Sequence, residues 1–483
     1  MLTIDNFIDG KFEPTLAYLD NYDPSTGQVY SKVASSTRED VLSAIAAARR
    51  AQPLWQRKTT SERAAILKRI ADLLEERLEE FAAAESRDQG KPIWLAENVD
   101  IPRAVHNFRH FATNAVNDRE LAIPQPQSQF LHYTCRSPVG VVGIITPWNL
   151  PLYLLSFKLA PALVYGNAVI AKPSEFTSVT AYMLAKLMHK AGLPDGVCNF
   201  VFGLGDPVGE TLSTHPDVNA ISFTGSTTTG THIAKVSAPM AKKCSLEMGG
   251  KNAAVVFADC DRAKCVRTLL RACFLNQGEI CLCTSRVFVH ESIYKEFVTD
   301  FVAETKGLKV GPPTERDSFL GALISKEHLE RVRGYVQLAE QDGGTILTGG
   351  ADPVTHMDEQ YAKGYYMLPT VIEGLDPSSR CMQEEIFGPV VCFAPFSDES
   401  EVLDLVNGVP YGLCASIWTT DVRRVHRVAD QINVGTVWVN CWLVRHLHLP
   451  FGGTKMSGVG REGTDASRDF YTECKAICID FNT

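Results

Sequence analysis

Five stretches of this sequence hold residue types that could do chemistry together. Asn276-Gln-Gly278-Glu-Ile-Cys281 places a cysteine just after a glycine-bearing turn. Local backbone dipoles at such a turn can favour the thiolate, the form of sulfur that attacks carbonyls. Leu246-Glu247-Met-Gly-Gly250-Lys-Asn sets a carboxylate beside two glycines that let the backbone approach a neighbour. That glutamate can be a base or a structural acid. Phe223-Thr-Gly225-Ser226 lies between a strand pattern and a helix start, where free N–H groups can meet a phosphate. Lys172-Pro-Ser174-Glu175 ends another strand pattern. The pair can grip ribose hydroxyls, with the carboxylate repelling a 2′-phosphate, or can be a surface charge pair. Gly203-Leu-Gly205-Asp-Pro-Val-Gly209 is one residue longer than the usual dinucleotide fingerprint and reads equally as a plain turn. The chain has 14 cysteines, so Cys281 is singled out only by its company.

The elements that must position these residues follow from hydrophobic period. Buried strands are expected at Gly140–Ile145, Asn167–Lys172, Val197–Phe202 and Asn219–Phe223, with helices near 177–191 and 208–214 between them. Strand–helix alternation of this kind means an α/β fold on a parallel, doubly wound sheet, which binds ligands at the carboxyl ends of its strands. A second alternating block follows from about residue 250, with strands at 253–257 and 284–289 and helices at 262–275 and 293–306. Helices are expected to dominate the first hundred residues, one opening with the capping box Thr37-Arg-Glu-Asp40 and one running from Ser61 to Gln89. Residues 130–135 and 473–480 read as strands of a small appended sheet, whose exposed edges favour pairing between subunits.

With 483 residues, two to four structural units are expected. The net charge of −9 argues against a nucleic-acid partner. Pro138–Phe157 is almost wholly apolar but holds three prolines. It reads as a buried strand and a loop, not as a membrane span. The first residues lack the basic and apolar regions of a secretory leader, and a cytoplasmic location is expected. No C-x-x-C pair is present, so no zinc site or other metal is expected. No G-K-[ST] follows the glycines, which removes a P-loop.

Taken together, these stretches resemble the aldehyde dehydrogenase superfamily over essentially the whole chain. The match adds Thr146-Pro147-Trp148-Asn149-Leu-Pro, Glu384-Glu385-Ile-Phe387-Gly-Pro and Pro450-Phe451-Gly-Gly, all in the family's order. Met248 departs from it, standing where leucine is usual. The resemblance implies a Rossmann-type NAD-binding domain (residues 1–115 and 139–247), a catalytic domain (248–460) and oligomerisation strands (116–138 and 461–483). It implies Cys281 as nucleophile, Glu247 as general base and the Asn149 amide with the Cys281 N–H as oxyanion donors. It implies NAD contacts from Thr146, Pro147, Trp148, Lys172, Ser174, Glu175, Gly205, Gly209, Phe223, Gly225, Ser226, Glu385 and Phe387, and a homodimer or homotetramer.

Aligned on those motifs, Arg103, Arg445 and Phe451 fall along the family's substrate tunnel. A guanidinium in a narrow tunnel is costly unless an anion meets it, so a small carboxylated aldehyde is the expected partner. Asn440-Cys-Trp-Leu-Val-Arg445 resembles the branch of the family that acts on muconic semialdehydes. The opposing expectation is that either arginine is tied up by an acid at the rim. An aliphatic or retinal enzyme and a non-catalytic structural homologue are the rival readings; the intact Cys281, Glu247 and Asn149 speak against the second.

Overall fold

The computed structural model describes residues 1–355 and 357–482. Among these, two large sheets carry the fold. The centre of the first is parallel, in the order Lys243–Glu247, Ala220–Thr224, Val141–Ile145, Ala168–Lys172, Cys198–Phe200. Gly458–Val459 closes one edge antiparallel; Asn6–Ile8 and Lys11–Glu13 close the other. Every residue of Val141–Ile145, Ala168–Lys172 and Ala220–Thr224 is buried. A parallel strand covered on both faces requires that, which is why these strands read as unbroken apolar runs. The second sheet runs Thr370–Glu373, Val390–Phe396, Thr284–His290, Asn252–Val256, Cys414–Trp418, Thr436–Val439, all parallel, with Thr345–Thr348 antiparallel at one edge. The α/β class expected from alternation is the observed one.

The appended sheet is also present. Thr472–Asp480 pairs antiparallel with Phe130–Pro138 over its full length, and Ala122–Gln125 lies on the far side. Thr472–Asp480 therefore ends the sheet with a free edge among the described residues.

The amino-terminal reading needs correction. Residues 2–34 form five strands, not helices. Helix Arg38–Arg57 does begin with the Thr37–Asp40 capping box. The long helix expected from Ser61 is two, Thr60–Glu76 and Leu78–Gln89, broken at Arg77 and stopped by Gly90 in the left-handed conformation. The loop expected after Ile145 is short. Pro151 starts a wholly buried helix, Pro151–Val164, since proline lacks only an N–H that the first turn leaves unused. Among the described residues no helix is long and apolar enough to cross a membrane.

Candidate active site

The carboxyl ends of the first sheet carry Lys172, Thr224 and Glu247, with Thr146 just past the end of Val141–Ile145. The facing loop carries Cys281, between the turn Leu275–Gly278 and strand Thr284–His290. Asn276, Gln277 and Gly278 all have positive φ (53°, 57° and 72°), a costly conformation for the first two. Contacts hold it. Asn276 Nδ2 donates to the carbonyl of Asn149 at 3.2 Å, and Gln277 bonds Gly321 N–H and the Ala322 carbonyl. A Cβ on Gly278 would lie 2.2 Å from the Gly388 carbonyl oxygen, so only glycine lets this loop meet the Glu385–Gly388 turn. Asn252 fixes the far side, donating to the carbonyls of Cys281 (2.7 Å) and Cys283 (2.9 Å).

Asn149 is fully enclosed. Its Nδ2 donates to the Glu279 carbonyl at 2.8 Å, which leaves the second amide hydrogen to point elsewhere. Its main-chain carbonyl accepts from Lys91 Nζ at 3.1 Å, and Lys91 is itself paired with Asp100 at 2.5 Å in a wholly buried contact. Glu247 is 4% exposed, and neither carboxylate oxygen has a hydrogen-bond partner. A Cβ on Gly452 would lie 2.7 Å from Glu247 Oε1, so the Phe451-Gly-Gly turn makes room for that acid. Burial raises the Glu247 carboxyl well above the ordinary range; Glu462 raises it further, and Lys158 and Arg445 oppose. Glu462 is ion-paired with the buried Lys158.

Burial, with Glu385 and Glu247 adding to it, pushes the Cys281 thiol up to about 12, although Arg445 opposes. The sequence reading of a thiolate favoured by local dipoles does not describe this state. Burial and the two neighbouring carboxyls favour the thiol over the thiolate.

Cys281 borders two main cavities and a third, smaller one. The first is narrow and also bounded by Tyr153, Phe157, Glu247, Arg445 and Phe451. The second is bounded by Pro147, Trp148, Asn149, Thr224, Gly225, Ser226, Glu385 and Phe387. A thiol, an unpartnered carboxylate and an amide donor thus border the place where two chambers meet, the first lined by Arg445 and the second by the helix start at Ser226.

Comparison with known proteins agrees. Residues 13–477 match the aldehyde dehydrogenase family. The chain belongs to that family. This aldehyde dehydrogenase is similar to the 2-aminomuconic semialdehyde dehydrogenase of Bos taurus, at 53% identity over 99% of this chain and 98% of that one. It is 44% identical to the 2-hydroxymuconic semialdehyde dehydrogenase of Pseudomonas sp. strain CF600, over 99% of this chain and all of that one. Its fold matches the NAD⁺ complex of an aldehyde dehydrogenase from Bacillus cereus with a TM-score of 0.95 and 37% identity, over 99% and 97% of the two chains. The aldehyde dehydrogenase reading of the sequence is thereby shown; the chain is an oxidoreductase acting on the aldehyde group.

Of the residues expected to hold NAD, the second chamber of this aldehyde dehydrogenase is lined by Pro147, Trp148, Gly225, Ser226, Glu385 and Phe387, whereas Thr146, Lys172 and Ser174 do not line it. Ser226 caps helix Thr227–Ser237, accepting from Thr229 N–H. Gly249 is needed because Glu385 comes against it: a Cβ there would lie 2.2 Å from Glu385 Oε2. Gly250 N–H donates to Glu385 Oε1 at 3.0 Å, and a Cβ on Gly250 would lie 2.7 Å from Asn252 Oδ1. Burial pushes the Glu385 carboxyl up to about 7. Trp148 and Phe387 meet edge to face at 5.3 Å. Lys172 is buried and donates to Glu175 at 3.3 Å. Glu175 lines a separate, larger cleft with Phe176 and Leu204. Phe223 lies differently from expectation: it is 3% exposed, in the core, with its ring beneath Gly225. Gly205 and Gly209 line neither chamber. Sequence reading missed His328 and Arg331, which also line the second chamber; His328 contacts the Phe387 carbonyl at 2.7 Å and Arg331 donates to the Glu385 carbonyl at 2.9 Å. It also missed Asn252 as the clamp on Cys281.

Proposed function

We propose that this enzyme oxidises 2-aminomuconate 6-semialdehyde to 2-aminomuconate with NAD⁺, in tryptophan (kynurenine) breakdown. One observation carries the substrate class. Arg103 and Arg445 flank Tyr153: the Arg103 guanidinium lies 5.3 Å from the Tyr153 ring, and Arg445 Nη1 donates to the Tyr153 hydroxyl at 3.4 Å. Arg445 also lies 3.6 Å from the Phe451 ring centroid and 5.4 Å from that of Phe157. The expectation that an acid at the rim neutralises them is not met; among the described residues neither arginine forms an ion pair, and Arg103 Nη2 is buried without a partner. Arg445 lines the narrow cavity and Arg103 stacks on Tyr153 outside its lining, and two such unpaired cations beside aromatic walls suit a substrate carboxylate. The names of the most similar relatives support the same class. The hydroxy analogue is the second reading, favoured by the 44% identical relative.

The second chamber fits a dinucleotide. Asn149 Oδ1 and Thr224 Oγ1 border it, are buried and have no partner, and the helix start at Ser226 suits a pyrophosphate. Trp148, Thr146, Pro147, Gly225, Ser226, Glu385 and Phe387 would hold the nicotinamide half, and Lys172, Ser174 and Glu175 the adenosine ribose. NAD⁺ supplies an acceptor for the hydrogen and electron pair leaving the aldehyde carbon. Cys281 gives its proton to a carboxylate and its sulfur adds to the carbonyl carbon. Asn149 Nδ2 and Cys281 N–H steady the oxyanion. The C–H bond breaks and a thioester on Cys281 remains. Glu247 takes a proton from water, whose oxygen attacks the thioester; the C–S bond breaks and the carboxylate product leaves.

The free edge at Thr472–Asp480, with exposed Leu121, Ile123, Ile479 and Phe481 around that sheet, supports a dimer or tetramer built on these strands. A spectrophotometric NADH assay tests the function. Enzymatically generated aminomuconic semialdehyde is expected to be turned over faster than its hydroxy analogue, with Cys281→Ala as blank. Preference for a neutral aldehyde would contradict the reading.

A further inference from the structure

Beside the arginines lies a group of side chains that the reaction above does not use. Helix Ile101–Ala115 carries Arg103, His106 and His110 at spacings of three and four, so all three share one face. The loop after Arg445 presents His446 and His448 to it. The rings form a chain: 5.7 Å between the centroids of His106 and His110, 4.9 Å from His110 to His448, and 5.2 Å from His448 to His446. His110 is half-buried and the other three are exposed.

The charged groups that bear on this cluster are themselves cationic. Arg103 and His446 act on His106; His448, His106, Arg103 and His446 act on His110. The remaining polar groups on the packing elements are engaged. The Thr464 hydroxyl meets His110 at 2.7 Å, and the Tyr153 hydroxyl accepts from Arg445. Glu462 is paired with Lys158, Asp465 with Arg468, and Arg109 turns away to Asp72 and Glu75. Among the described residues, the histidines in ion pairs are His189, His232 and His328, none of them here.

We propose that His106, His110, His446 and His448 form an outer carboxylate-binding subsite, beside the arginine pair, that takes up a proton when the anion binds. This rests on the reading of the substrate as a carboxylated aldehyde. An imidazolium among other cations is disfavoured: burial first, then these neighbours, hold His106 below its usual range and His110 down at about 4. A carboxylate arriving in the cluster supplies the missing opposite charge and favours the imidazolium. By linkage, anion affinity then rises as pH falls.

The test uses adipate, an unreactive dicarboxylate, titrated into the NAD⁺-loaded enzyme by calorimetry in buffers of different ionisation enthalpy. The wild type is expected to take up a fraction of a proton per adipate and to bind about fivefold or more tightly at the lower end of the range in which imidazoles titrate. In His106→Gln/His110→Gln, which removes the two imidazoles held down in the free enzyme, the uptake and the pH slope shrink toward zero, and His106→Gln alone, at an exposed position, removes part of both. Wild-type binding without proton uptake, or the same uptake in the double variant, overturns the subsite and leaves the carboxylate reading standing. Failure of adipate to bind the wild type at all overturns both.

Discussion

Asn149 and Glu279 are joined by a 2.8 Å hydrogen bond from side-chain amide to main-chain carbonyl, two residues before Cys281. The bond ties the end of one sheet to the loop of the other and aims the free amide hydrogen of Asn149. Asn149→Ala should lower kcat by about 10²–10³ with a small change in KM. Steady-state kinetics on the folded variant check this, and a loss confined to KM would show that the amide does not act on the reacting oxygen.

Glu247 should impose a pH limb on the second half of the reaction. Burial, then Glu462, raise its carboxyl well above the ordinary range, and the ionised form is the base. Thioester hydrolysis therefore speeds up as pH rises through that raised value and slows below it. Glu247→Gln should flatten the limb, slow hydrolysis by about 10²-fold or more, and leave a stoichiometric burst of NADH in stopped flow. A variant without a burst and with the wild-type pH profile argues for another base.

The arginine pair should act on substrates selectively. A hydrogen bond to a charged group contributes about 1.5–3 kcal/mol. Arg445→Ala and Arg103→Ala should each raise KM for a carboxylated aldehyde by roughly one to two orders of magnitude. A neutral aldehyde should be far less affected. Equal losses for both would remove the carboxylate clamp.

Glu175 should set cofactor choice. Its carboxylate is paired with buried Lys172 at 3.3 Å, where a 2′-phosphate would meet a negative charge. Glu175→Ala should improve kcat/KM for NADP⁺ relative to NAD⁺ by about tenfold or more, the effect of removing roughly 1.4 kcal/mol of repulsion. An unchanged ratio would place the discrimination elsewhere.

What could be read from the sequence followed from how local each signal was. Strands such as Ala168–Lys172 are apolar on both faces and announce themselves. The three-residue strands Leu2–Ile4 and Asn6–Ile8 have no period of their own; the first pairs with Ser31–Val33, and the second, hairpinned to Lys11–Glu13, joins the large sheet only through Phe200, far along the chain. Cys281 stood out only beside Glu247, Asn149 and the paired glycines, whereas the state of its thiol depends on Glu385 and on burial, which no spacing reveals. The reason for Gly249 was equally hidden: it makes way for Glu385, over a hundred residues on. Asn252, His328 and the Lys158–Glu462 pair behind Glu247 likewise come from segments that meet only in the folded chain.

The proposed reaction depends on the sulfur of Cys281. The direct measurement is mass spectrometry of Glu247→Gln quenched during turnover with NAD⁺ and a carboxylated aldehyde, followed by peptide mapping. The predicted result is an acyl adduct on the peptide carrying Cys281, absent when Cys281→Ala is added to the variant. An adduct on any of the other cysteines, or wild-type turnover by Cys281→Ala alone, would contradict it.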